Sequence, residues 1–266
     1  MKKPLPNFLI IGAQKSGTTS LHKYLEPQSE IFMSAPLKEP GLFWGSEPAL
    51  QYWRNKGKDI NSLDQLLQEY MLKGYSGEKY FGEASTFYTI SNYSRRWGIP
   101  ERIHSQQPDM KFIYVLRNPF DRIISNYLHH LKNIGQDKSL SAFIDGPRGR
   151  ASVRTSLYYY QLEEYLKIFS PDKFKILIFE ELIENPYKNL KQVFEFLGLE
   201  SDIYETWHKS HNVSGNRSEL SSDELKFTRE QFERLSLDII PDLENLFDFI
   251  GRKITDWDLS SSKWCH

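Results

Sequence analysis

The sequence predicts an α/β fold, with three layers (αβα) built around a central parallel sheet. Three short runs rich in β-branched and aromatic residues carry the prediction: Phe8–Ile11, Phe112–Leu116 and Phe174–Phe179. They have the near-continuous apolar character of strands buried on both faces. Each is followed by a turn and then by a segment of helical period. Strands alternating with helices imply crossover connections, and hence a parallel sheet covered on both sides.

In chain order, the first strand runs through Gly12–Gly17 into a helix at Thr18–Leu25. Residues Pro36–Gly57 read as irregular and aromatic-rich. A fourth strand is expected at Lys79–Glu83. Strand Phe112–Leu116 passes through Arg117-Asn118-Pro119 into a helix at Phe120–Leu131, and strand Phe174–Phe179 leads to a helix at Tyr187–Leu197. Pro119 and Pro186 stand at the first turn of those helices, where a missing N–H is tolerated. Leu157–Phe169 and Ser222–Ile250 have helical spacing and are expected outside the sheet. No repeat, low-complexity tract or linker divides the 266 residues, so one domain over 1–266 is expected.

Composition narrows the function classes. Hydrophobic residues at 39% and aromatics at 14% suffice for a sizeable core and exclude global disorder. Lys+Arg 34 against Asp+Glu 35 gives a net charge of −1, which argues against a nucleic-acid partner but leaves room for a local cationic pocket. The single cysteine, Cys265, cannot form an intramolecular disulfide, which favours a reducing, cytoplasmic setting. Phe8–Ile11 is too short for the centre of a signal peptide, and no stretch approaches the ~20 apolar residues of a membrane span. The histidines show no metal-ligand spacing, so no metal site is expected.

The strongest motif is Gly12-Ala13-Gln14-Lys15-Ser16-Gly17-Thr18-Thr19-Ser20, set between a strand and a helix. Backbone N–H groups at a helix N-terminus form an anion site, and the glycines permit a close backbone approach. The spacing resembles the Walker A loop, but Thr18 stands where its lysine belongs. An ATP-using loop needs that late lysine on the terminal phosphates. Lys15, in mid-loop, would instead reach a 5′-phosphate and the oxygen bridging it to an attached group. A second anchor follows strand Phe112–Leu116, where Arg117 and, two helical turns on, Ser125 could hold a second phosphate. Arg122 could share a face with Ser125. Taken alone, Arg117 could as easily pair with a carboxylate.

FLIIGAQKSGTTSL and FIYVLRNPFDRIISNY together resemble the two cofactor signatures of sulfotransferases that use 3′-phosphoadenosine 5′-phosphosulfate (PAPS) and release adenosine 3′,5′-bisphosphate (PAP). The resemblance implies the P-loop-like fold of that family. It also implies that Lys15, Ser16, Gly17, Thr18 and Thr19 hold the 5′-phosphosulfate, and that Arg117 and Ser125 hold the 3′-phosphate. Further matching segments, Lys38–Phe43, Phe81–Thr86 and His211–Arg217, follow in family order. Lys38-Glu39-Pro40-Gly41-Leu42-Phe43 resembles the segment of the heparan-sulfate-type and bacterial branch that carries the catalytic glutamate, which nominates Glu39. Leu37, Phe43 and Trp44 are expected to bury it.

Phe81-Gly82-Glu83-Ala84-Ser85-Thr86 departs from the family, because Glu83 and Ser85 lie where relatives carry a lysine or a catalytic histidine. Glu83 is thus a rival base, or a group that orients Lys38. Arg217 is assigned by resemblance to a loop closing on the 3′-phosphate, and His211 lies in the same segment. Sulfuryl transfer needs in-line positioning, a cation on the bridging oxygen, for which Lys15 is the candidate, and a base for the acceptor proton. The acceptor is expected to be a hydroxyl, less readily an amine, on a small molecule, lipid-like chain or saccharide. Trp44, Tyr52, Trp53, Phe87 and Tyr88 either line its pocket or build core. Arg95, Arg96, Arg148, Arg150 and Arg154 could form a local patch for an anionic acceptor. A P-loop small-molecule kinase and a non-catalytic nucleotide-binding module are the alternatives.

Overall fold

Five parallel strands form one sheet, in the order β2-β3-β1-β4-β5. They are β1 (Phe8–Gly12), β2 (Ile31–Met33), β3 (Tyr80–Glu83), β4 (Lys111–Leu116) and β5 (Phe174–Ile178). The computed structural model describes residues 4–90, 98–134, 139–200 and 220–265. The α/β fold and the four expected strands agree with it. The fifth strand, β2, is an edge strand of three residues, too short to show any periodicity in the sequence. It is held in parallel register with β3, Phe32 opposite Phe81.

The helices, in chain order, are α1 (Thr18–Leu25), α2 (Ser46–Asn55), α3 (Leu63–Tyr70), α4 (Ile99–Gln106), α5 (Pro119–Ile134), α6 (Leu140–Asp145), α7 (Pro147–Thr155), α8 (Tyr158–Leu166), α9 (Phe179–Glu184), α10 (Pro186–Leu197), α11 (Arg229–Ile250) and α12 (Ser261–Trp264). The chain divides into two units. One comprises Met1–Leu116 and Glu163–Asn212 and contains the sheet; the other comprises Arg117–Leu162 and Val213–His266.

In the sheet unit, alternation along the strands sorts side chains onto two faces. Phe8 and Ile10 of β1, Ile113 and Val115 of β4 and Leu177 of β5 meet Leu21 and Leu25 of α1 and Leu190, Val193, Phe194 and Leu197 of α10 in one buried cluster. Each such side chain contributes roughly 1.5–3 kcal/mol when taken out of water. Elsewhere in this unit the Phe112 ring stacks on Phe174 at 4.9 Å and meets Phe169 edge-on at 4.8 Å.

Two expectations change in this unit. The third strand ends at Ile178, and Phe179 instead opens α9. Pro36–Gly57 is not irregular throughout: Leu42–Trp44 forms a 3₁₀ turn and α2 follows, burying Ala49, Leu50 and Trp53 on one face.

In the second unit, Phe120 of α5 packs against Phe232 of α11 at 5.0 Å and Trp264 of α12 at 5.5 Å. The expected long helix from Ser222 begins only at Arg229. There Thr228 accepts from Gln231 N–H while the Gln231 side chain accepts from Thr228 N–H, a reciprocal cap that fixes the start. Asp242 of α11 accepts from the N–H groups of Tyr159 and Tyr160 at 3.1 and 2.8 Å, so a carboxylate meets the open first turn of α8.

Candidate active site

The loop between β1 and α1 is shaped by its own backbone. Ala13 N–H donates to Val115 C=O at 2.7 Å, and Ser16 N–H to Ala13 C=O at 3.2 Å. Two glycines are required by close approach. A Cβ on Gly12 would lie 2.2 Å from Thr89 Oγ1, and one on Gly17, at φ 83°, would lie 2.6 Å from the Phe179 ring. Lys15 adopts φ 70°, a left-handed conformation uncommon for a residue with a side chain. Among the described residues no side chain caps α1, and its first turn has no acidic residue, so the N-terminal N–H groups and the positive dipole end suit an anionic ligand. Ser16 Oγ is fully buried without a hydrogen-bond partner among the described residues. An unspent hydroxyl inside a loop of this form fits a phosphate or phosphosulfate group.

Around this loop the sheet unit gathers a polar chain whose members lie as far apart in sequence as Thr18 and Thr86. Lys38 Nζ lies 2.8 Å from Glu39 Oε1 and 3.4 Å from Thr18 Oγ1. Thr86 donates to the other Glu39 oxygen, Oε2, at 3.0 Å. Thr18 occupies the place of the Walker lysine, and Lys38 brings an ammonium to that place from a neighbouring segment. Glu39 is not buried as expected, for its side chain keeps 31% of its exposure. Phe43 and Trp44 turn into the core instead.

The fully buried carboxyl is Glu83. Ser85 Oγ donates to Glu83 Oε2 at 2.7 Å and accepts from Gly41 N–H at 2.9 Å. The Tyr88 hydroxyl, which accepts from Phe43 N–H at 3.2 Å, faces the same carboxyl, while Oε1 has no partner of good hydrogen-bond geometry among the described residues. Burial pushes the Glu83 pKa up to about 8 against the opposing pull of the Tyr88 and Ser85 hydroxyls, so Glu83 holds its proton at neutral pH.

The aromatic residues divide by role. Trp44, Trp53 and Tyr88 are core. Tyr52 and Phe87, with ring centroids 6.0 Å apart, stay partly exposed. Burial, and secondarily the negative charge of Glu39, raise the Tyr52 phenol pKa, which places that ring in the field of the carboxylate.

Arg117 and Ser125 lie in the second unit. Arg117 Nη2 stands 3.8 Å from Asp121 Oδ1, the carboxylate pairing that its sequence context allows, and the Arg117 carbonyl accepts from the Tyr158 hydroxyl at 2.6 Å. Ser125 is buried on α5. Arg122 does not share the role proposed for Ser125, because its buried guanidinium donates to Ser156 Oγ at 2.7 Å and to the Ser152 backbone carbonyl. Arg150 and Arg154 line an open cavity of about 580 Å³ in this unit, where Arg234 pairs with Asp145. Arg95, Arg96, His211 and Arg217 lie outside the described residues. Sequence reasoning missed Lys38, Ser85 and Thr86 as site residues. A loop lacking its late lysine was itself the signal that a cation must come from elsewhere.

Comparison with known proteins fits this geometry. Human heparan sulfate glucosamine 3-O-sulfotransferase 6 is 29% identical over 205 residues, 74% of this chain and 54% of that protein. Mouse carbohydrate sulfotransferase 15 is 27% identical over 247 residues, 73% of this chain and 44% of that protein. The chain thus spans about half the length of these curated relatives. A crystal structure of a sulfotransferase from Alicyclobacillus acidocaldarius superposes with a TM-score of 0.74 at 26% identity, covering 96% of this chain and 99% of that one. Mouse sulfotransferase SULT7A1, solved in complex with PAP, shares the fold at a TM-score of 0.58 and 16% identity, over 92% of this chain and 86% of that one. Residues 5–231 match the family described as the sulfotransferase domain, and the chain therefore belongs to this family, whose sulfuryl donor is PAPS.

Proposed function

We propose that this protein transfers the sulfuryl group of PAPS to an acceptor hydroxyl, with Glu39 as general base. The observation that carries the reading is the Thr18–Lys38–Glu39–Thr86 chain, which ties a carboxylate to the first residue of the helix behind the anion loop. PAPS, when bound, supplies a sulfuryl group on a phosphate leaving group. The N–H groups of residues 17–19 and the Ser16 hydroxyl would hold the 5′-phosphosulfate, and Lys15 would neutralise charge on the bridging oxygen. Arg117 and Ser125 are proposed for the 3′-phosphate. Lys38 and Thr86 fix both of the Glu39 oxygens. Glu39 then takes the proton from the acceptor hydroxyl as its oxygen attacks sulfur.

The acceptor is proposed to be a saccharide hydroxyl. Support comes from the heparan sulfate and carbohydrate sulfotransferases among the relatives, and from Tyr52 and Phe87, partly exposed rings suited to stacking on a sugar face.

The test follows transfer of ³⁵S from PAPS to desulfated heparan oligosaccharides, alongside calorimetry with PAP in EDTA. Binding of PAP without divalent metal, and a ~10²–10⁴-fold loss of kcat in Glu39→Gln with PAP affinity retained, are expected. Binding of ATP–Mg²⁺ with none of PAP would overturn the donor, and full kcat in Glu39→Gln would overturn the base.

A further inference from the structure

The segment Lys38–Trp44, which carries the proposed base, is anchored almost residue by residue. Ala84 N–H donates to Lys38 C=O at 3.2 Å, Trp53 Nε1 to Pro40 C=O at 2.8 Å, and Arg102 Nη1 to Phe43 C=O at 3.1 Å. Its own donors are the harder problem, because Gly41 N–H and Phe43 N–H make their hydrogen bonds in the buried interior. They end on Ser85 Oγ and Tyr88 Oη, at 2.9 and 3.2 Å, and both hydroxyls face the carboxyl of Glu83. One buried carboxyl therefore orients the two acceptors that hold the segment.

We infer that Glu83 is a positioning residue for Glu39: its buried carboxyl, acting through Ser85 and Tyr88, fixes the backbone on which the base is mounted. This rests on Glu39 being the base. Glu83 has no access to an acceptor, since it is 0% exposed, whereas Glu39 is open to one. Strand β3 supplies Glu83 from below, and Thr86, three residues on, bonds Glu39 directly. The same short stretch thus sets the segment from behind and the carboxylate from the side. The charged and titratable groups acting on Glu83 are Tyr88, Glu39 and Lys38, and the Tyr165 hydroxyl of α8 lies within its field. A neutral carboxyl suits this place, because Glu39 already supplies the negative charge that Lys38 answers.

The experiment measures release of PAP from PAPS with water as acceptor, together with calorimetric affinity for PAP, in wild type, Glu39→Gln, Glu83→Ala and Glu83→Gln. Glu83→Ala is expected to lower kcat by ~10–10²-fold, the penalty of a base displaced by about an ångström, with PAP affinity unchanged. Glu83→Gln, which still offers Ser85 an acceptor oxygen, should recover most of that loss. Glu39→Gln should lose turnover without rescue. If Glu83→Ala turns over like wild type while Glu39→Gln does not, the positioning role is wrong and the base stands. If Glu83→Gln falls as far as Glu83→Ala while Glu39→Gln stays active, Glu83 is itself the base and both readings fall. Should Glu83→Ala not fold, Ser85→Ala removes the bridge to Gly41 and carries the same expectation; wild-type kcat there overturns the inference.

Discussion

Replacing Glu83 by glutamine should change how stability depends on pH. Glu83 is fully buried, and its pKa rises from 4.5 to about 8. Between those values the native state keeps a proton that the unfolded chain has shed, so the native state binds more protons and stability falls as pH rises. The fall ends above about pH 8, where both states are ionised. One proton corresponds to about 1.4 kcal/mol per pH unit, so from about pH 5.5 to about pH 7.5 Glu83 should remove about 2.5 kcal/mol from the wild type. The side-chain amide of the Glu83→Gln variant cannot ionise, and that variant loses none of this. Urea unfolding followed by tryptophan fluorescence, which the six tryptophans permit, gives the stability of each protein at both pH values. The difference between variant and wild type should move in favour of Glu83→Gln by that amount, while groups common to both cancel. A difference independent of pH would mean that Glu83 is ionised in the folded protein, and the account of the Ser85 and Tyr88 hydrogen bonds would have to be rewritten around an anion.

Three further outcomes concern the anion loop and its proposed partner. Gly17→Ala should abolish PAP binding in calorimetry and lower the melting temperature, because a Cβ at φ 83° would sit 2.6 Å from the Phe179 ring. Lys15→Ala should reduce kcat more than PAP affinity, as expected of a cation that answers charge developing on the leaving oxygen. Arg117→Ala should weaken PAP binding about tenfold or more, the scale of a lost charged hydrogen bond, while binding of adenosine 5′-monophosphate, which lacks the 3′-phosphate, stays unchanged.

The parts of the fold and site that were legible in the sequence are those coded by local pattern. Strands β1, β4 and β5 are apolar runs, and the anion loop is a short motif between a strand and a helix. Contacts between distant positions were not legible. Lys38 reaches Thr18 across twenty positions, and Ser85 serves Gly41 across forty-four; neither relation leaves a periodic trace. Leu37, Phe43 and Trp44 around Glu39 point to burial, but the αL turn at Gly41 sends Phe43 and Trp44 inward and leaves Glu39 partly open. The carboxyl that is buried belongs to β3, whose depth follows from its place between β2 and β1 in the sheet.

The 3₁₀ turn Thr86–Thr89 has a consequence for how such a protein can diversify. Its first residue holds Glu39 Oε2, and its last, Thr89, donates to Ile11 C=O at 2.8 Å, where the anion loop begins. Between them the Tyr88 carbonyl accepts from the Tyr165 hydroxyl at 2.7 Å. Four consecutive residues therefore act as a ruler between the loop after β1 and the proposed base, Glu39. Side chains outside that span that do not anchor the Glu39 segment, such as Tyr52 on α2, can be exchanged for others that recognise a different acceptor, whereas Trp53 on the same helix has to stay because it donates to Pro40 C=O. A chimera keeping residues 80–90 and Trp53 while replacing the exposed positions of 46–57 would be the natural starting point for redirecting this scaffold.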